Sequence, residues 1–144
     1  MRILAELPPA EATEKPVKLE IVFPNGIIGF PKHNRGEVFH LPEQLPFQWL
    51  RLHGPTVLHF VVIDPTGIVP DYEPELFDDD ANAIGLTCAE DAYILNIVTV
   101  QENNEACVNL VGPIIINRHT GAARQVVISN HPAYSARHAL VSNT

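Results

Sequence analysis

A chain of 144 residues, 46% of them hydrophobic, is expected to form one domain, and at that size it buries roughly two thirds of its unfolded surface without a disulfide or metal staple. Its apolar runs are far too short to cross a membrane, Arg2 is followed by only three apolar residues before Glu6, Pro8 and Pro9, and the expected location is the cytoplasm. The formal charge of −8 is unevenly spread: the 66 residues between Arg51 and Arg118 hold eleven carboxylates and no Lys or Arg, and the remainder carries +3. Such a field repels nucleic acid and attracts a basic partner, the plain alternative being a solvated acidic face.

Thirteen prolines and eight glycines leave few windows long enough for a three-turn helix. In chain order, Val17, Leu19, Ile21 and Phe23 alternate with Lys18, Glu20 and Val22 and predict a strand with one buried face. Gly26 to Gly29 predicts a tight turn, with Phe30 folding back on the core. Pro42 to Leu50 predicts one or two helical turns, with Phe47, Trp49 and Leu50 turned inward. Val57 to Ile63 is apolar at nearly every position and predicts a central strand buried on both faces, ended by Asp64-Pro65-Thr66-Gly67.

Pro74 to Ile84 predicts a second helix, with Pro74 at its first position, acids near its start and Gly85 in the left-handed cap. Tyr93 to Val100, Ala106 to Asn117 and Gln125 to Ser129 predict three more strands. Glu102-Asn103-Asn104-Glu105 is the polar turn of a hairpin between the first two. Gly112-Pro113 marks a bulge or edge, with Asn109 and Asn117 placed to bond freed carbonyls. The expected class is all-β: a mostly antiparallel, closed or partly open barrel or sandwich with one or two short helices.

Little chemistry is legible. The seven histidines show no metal-ligand spacing, and His59, inside an apolar strand, reads as a hydrogen-bonded structural residue. Cys88 and Cys107 read as buried or half-buried free thiols. Asp78-Asp79-Asp80 lacks the spacing that wraps calcium. There is no phosphate loop, dinucleotide fingerprint or nucleophile elbow. No cofactor, metal or catalytic residue is expected, and direct nucleic-acid binding is disfavoured. What remains is recognition: Tyr72 and Phe77 among Asp71, Glu73, Glu75, Asp78, Asp79 and Asp80 combine aromatic anchors with charge, as protein interfaces do.

Five ordered blocks carry a family resemblance. They are Phe23 with Gly26-Ile27-Ile28-Gly29-Phe30, Pro46-Phe47-Gln48-Trp49-Leu50, Phe60 to Pro65 followed by Pro70-Asp71-Tyr72, Val108 to Asn117, and Gln125 with the Tyr134 to Leu140 tail. The sequence resembles the flagellar assembly factor family FliW over about Ile21 to Leu140. It departs from that pattern at Ile28, Pro31, Cys107 and Gly112. The resemblance implies a non-enzymatic, monomeric cytoplasmic protein that binds flagellin and the RNA-binding translational repressor CsrA, and antagonises the latter. Its expected contact residues are Phe30 together with the Asp71 to Asp80 cluster. The competing reading is a small-molecule-binding β-barrel or a hydrolase, which would need an open cavity lined by His and carboxylates.

Overall fold

The computed structural model describes residues 1–3 and 18–140. The expectations that concern Val17, Glu6, Pro8 and Pro9 lie outside the described residues. Among the described residues nine strands form one open, mostly antiparallel sheet: β1 (Lys18–Val22), β2 (Arg35–Phe39), β3 (Phe47–His53), β4 (Leu58–Ile63), β5 (Ala92–Val100), β6 (Ala106–Val108), β7 (Ile114–Asn117), β8 (Ala123–Gln125) and β9 (His138–Ala139). The order is β1-β2-β3-β4-β5-β6-β9, with β7 on β5 and β8 on β7. The sheet curls until Val22 donates its N–H to Gly121 and bridges Ala122, but among the described residues no ladder closes it into a barrel.

β5 organises this topology. One edge pairs with β4 through Asn96, Ile97 and Val98. The other edge takes β6 at Val98 to Val100 and β7 at Ala92 to Leu95. The expected single strand from Ala106 to Asn117 is therefore two strands on one edge, parted at 109–113 where Pro113 has no N–H to give. Asn109 holds the excursion by accepting the N–H groups of Val111 and Gly112 at 3.1 and 2.9 Å, and Gln125 donates to the Gly112 carbonyl at 3.1 Å. Of the two expected carbonyl donors, Asn109 acts on N–H groups instead, and Asn117 donates to Ile84 and Gly85 at the end of the helix.

Two hydrophobic cores share the sheet. One lies in the curl, around Phe23, Leu50, Leu52, Val62, Leu95, Ile114 and Ile116. The other lies where the 64–91 segment covers the opposite face of β4, β5 and β6, around Ile63, Tyr72, Ile84, Val98, Leu110 and Ile115. That segment contains the one α-helix among the described residues, α1 (Asp78–Ala83). The helix starts four residues later than the sequence predicts. Pro74 to Leu76 is tied to the N-terminus instead, by Ile3 N–H to Pro74 O and Leu76 N–H to Met1 O. Gly85 does adopt the left-handed conformation, at φ +71°.

Other expectations need correction. From Pro42 only Pro42–Gln44 is helical, as a 3-10 turn, and Phe47 to Leu50 belong to β3. There Gln48, Leu50 and Leu52 are buried while Phe47, Trp49, Arg51 and His53 face outward, a period of two that a helix cannot produce. β4 is buried on both faces only at Val62 and Ile63, and His59 is exposed, meeting Trp49 edge to face. Gln125 to Ser129 leaves the sheet after Gln125, Val126 and Ile128 being held by the Pro113 and Val111 carbonyls. β2 has no counterpart among the expected elements.

The outer face of β2 and β3 carries a compact ion cluster. Glu37, 8% exposed, accepts from Arg51 Nε and from His53 Nε2, while Arg51 lies 4.8 Å over the Phe39 ring. Burial pushes the Glu37 carboxyl up, but the hydrogen bonds and charges of Arg51 and His53 outweigh it and hold the group below its ordinary value. A depressed folded-state pKa means stabilisation that is complete above the ordinary carboxylate range and is lost as pH falls through the folded value. Urea unfolding at falling pH should therefore show an acid loss that Glu37→Gln flattens, at a cost near neutrality of about 1–3 kcal/mol. Equal acid slopes in the two proteins would refute this assignment.

Candidate interaction surfaces

The segment from Asp71 to Asp80 holds six carboxylates, and the structure divides them sharply. Arg2, distant in sequence, sits 2.8 Å from Glu75 and 3.8 Å from Glu73. Arg2, with help from Ser129, holds the Glu75 carboxyl below its ordinary value. Arg124 of β8 pairs with Asp80 at 2.8 Å. Asn130 brackets this segment, accepting from Glu75 N–H and donating to Glu73 O. Among the described residues no ion pair involves Asp71, Asp78 or Asp79, and all three are exposed. Phe77, 55% exposed, occupies the position just before the helix, beside Asp78 and Asp79, and makes no side-chain cap bond. The surface feature is thus an aromatic ring next to Asp78 and Asp79, the carboxylates left without a base among the described residues, and it is smaller than the charge run suggests.

Tyr72 is not part of that surface. It is 1% exposed, its hydroxyl donates to Leu110 O at 2.6 Å and accepts from Asn96 at 3.2 Å, and its ring meets Tyr134 edge to face at 5.0 Å. Burial pushes the phenol well above its usual range. Its role is to anchor the acidic segment to the core, and the expectation of an exposed Tyr72 anchor is corrected accordingly.

Phe30 lies elsewhere. It is 38% exposed, at the end of the Gly26 to Gly29 turn, where its ring touches His33 and Phe60 edge to face instead of entering the core. Ile28 beside it is 60% exposed, and its N–H is held by Gln125. Gln125 and Arg124 are neighbours on β8 and point to opposite sides, so the Phe30 turn and the Asp80 pair sit on opposite sides of that strand.

A surface that the sequence reading missed lies on the uncovered half of the sheet. An open groove of about 440 Å³ is lined by Leu45, Phe47, Trp49, Val61, Val98 and Val100, with Glu43 and Gln44 along one side. Leu45, Phe47 and Val100 are 50%, 37% and 62% exposed. The alternation of Phe47, Trp49 and Arg51 with Gln48, Leu50 and Leu52 was the signal for it.

One polar cluster resembles a catalytic set only superficially. Asp91 accepts from Cys88 at 3.2 Å through one oxygen and from His119 at 2.7 Å through the other. The histidine pairs with the acid and not with the thiol, and Asp91 pushes the Cys88 thiol up, away from thiolate formation. Cys88 is exposed, contrary to expectation, and Cys107 is half-buried. Among the described residues no group of His, Cys, Asp and Glu is arranged to hold a metal, and no helix is long and apolar enough to cross a membrane.

Comparison with known proteins bears on these surfaces. The family described as FliW protein matches residues 7–140. The flagellar assembly factor FliW of Natranaerobius thermophilus is 39% identical over 126 residues, spanning 85% of this chain and 82% of that protein. The one from Desulfitobacterium hafniense strain Y51 is 36% identical over 125 residues, with 85% and 80% covered. A crystal structure of the flagellar assembly factor FliW superposes with a TM-score of 0.75 at 29% identity, covering 87% of this chain and 88% of that one. The chain belongs to the FliW family, a family of flagellar assembly factors and not of enzymes.

Proposed function

We propose that this protein works in the cytoplasm by binding flagellin and the translational repressor CsrA in exchange, so that flagellin synthesis follows the pool of free flagellin. Family membership supports the partners, and the observation that carries the CsrA half is the exposed Phe77 beside exposed Asp78 and Asp79, which no base pairs with among the described residues. An RNA-binding repressor presents a basic surface, and carboxylates docked beside it both attract the protein and repel RNA. The interior favours a binding module over a ligand-holding barrel: Phe23, Leu50, Leu52, Val62, Leu95, Ile114 and Ile116 fill it, each at 0% exposure.

The test is charge reversal at these two acids. Asp78→Lys with Asp79→Lys should weaken CsrA binding about tenfold at low salt, since each exposed pair is worth about 0–1 kcal/mol. The difference should shrink as salt shortens the screening length to about 8 Å. The fold should lose only a few tenths of a kcal/mol, from Lys opposing the helix dipole. Flagellin co-elution in gel filtration should persist. CsrA binding that is indifferent to salt, or equally tight in the double variant, would reduce the acidic segment to a solvated face.

A further inference from the structure

The apolar groove on the outer face of β3 to β6 has a composition of its own. Register places Trp49 opposite Val61, Val61 opposite Val98 and Val100 opposite Ala106, so the floor is a continuous band across four strands. The indole of Trp49 is fixed by its N–H donating to Gln44 at 3.0 Å. The one charged lining residue is the acid Glu43, and the turn that joins the lining residues Val100 and Ala106 carries two more exposed acids, Glu102 and Glu105. None of the lining residues is a base. Arg51, the neighbouring cation on the same face, is already held by Glu37 and by the Phe39 ring.

We infer that this groove seats an amphipathic peptide segment of a partner protein, with apolar side chains on the Trp49–Val61–Val98 floor and Lys or Arg flanks against Glu43, Glu102 and Glu105. The openness of the groove suits a chain segment lying across it, and an open apolar floor gives a small polar ligand too few hydrogen-bonding groups to fix it. A second copy of this chain is disfavoured by charge: at −8 overall, it would bring acids to an acidic rim. The inference deepens the proposed function by giving the apolar partner segment a seat apart from Phe77, Asp78 and Asp79. It rests on that reading only for which protein carries the segment.

Trp49 is the sole tryptophan of the sequence, so its fluorescence reports this groove directly. The probes are a synthetic amphipathic peptide of Leu and Lys, and the same peptide with Glu in place of Lys. The Leu/Lys peptide should shift Trp49 emission to the blue and saturate, and the Leu/Glu peptide should bind at least about tenfold more weakly. Val100→Arg and Leu45→Arg alter exposed side chains and should keep the fold, checked by circular dichroism, yet each should weaken the Leu/Lys peptide about tenfold or more. Asp78→Asn with Asp79→Asn should leave it unchanged. Equal binding of the two peptides, undiminished binding by both Arg variants, or a concentration-dependent dimer of the unmixed chain that Val100→Arg abolishes would each overturn the inference. Neither flagellin nor CsrA is present, so failure here is separate from failure of the proposed function.

Discussion

Tyr72→Ala should destabilise the protein by about 3–5 kcal/mol, the range for truncating a fully buried aromatic. The ring is 1% exposed, packs edge to face on Tyr134, and bonds Leu110 O at 2.6 Å. Truncation opens a cavity between the acidic segment and the sheet and leaves the Leu110 carbonyl unpaired. Tyr72→Phe isolates the second effect. It keeps the ring and should cost about 1–2 kcal/mol, because Asn96 retains Asn109 O at 2.9 Å while Leu110 O loses its donor. Urea titration of the three proteins measures both costs. A loss below about 1 kcal/mol for Tyr72→Ala would mean that the side chain is not the anchor described above.

Gly26→Ala should be nearly as damaging, and Gly29→Ala should not. Both glycines have positive φ, +65° and +90°, so either substitution strains the backbone by about 1 kcal/mol. At Gly26 an added Cβ also meets the Phe30 carbonyl oxygen, and the Pro31 Cα at 2.6 Å, which are backbone atoms with nowhere to go. At Gly29 nothing lies within 4 Å. Gly26→Ala should therefore cost about 3 kcal/mol or more in total, and Gly29→Ala about 1 kcal/mol. For a domain of this size the first corresponds to a midpoint lower by roughly 10 °C and the second to roughly 3 °C. Calorimetry on the pair decides it: equal midpoints would show that the turn yields and that close approach at Gly26 is not what makes it glycine.

The strands that the sequence revealed are those whose local pattern and tertiary role agree. Tyr93 to Val100 is apolar, β-branched and closed by a polar hairpin turn, and it is the longest strand of the fold. The misreadings have a common cause in partners far along the chain. β2 was invisible because Glu37 is charged and buried, and only Arg51 and His53 from the next strand make that tolerable. Tyr72 read as a surface anchor because acids surround it in sequence, whereas its hydrogen-bond acceptor, Leu110, is 38 residues away. The charge run exaggerated the acidic surface for the same reason, since Arg2 and Arg124 are brought back onto it. The groove was hidden because Phe47 and Trp49 were given to a helix that would have turned them inward.

β5 belongs to both cores at once, with Ile94 and Val98 in one and Leu95 in the other. Its two edges carry three other strands. No cut through the sheet on either side of it leaves two halves that each keep a closed apolar interior. The molecule is therefore expected to unfold as one cooperative unit, so that any ligand bound only by the folded chain protects both cores together.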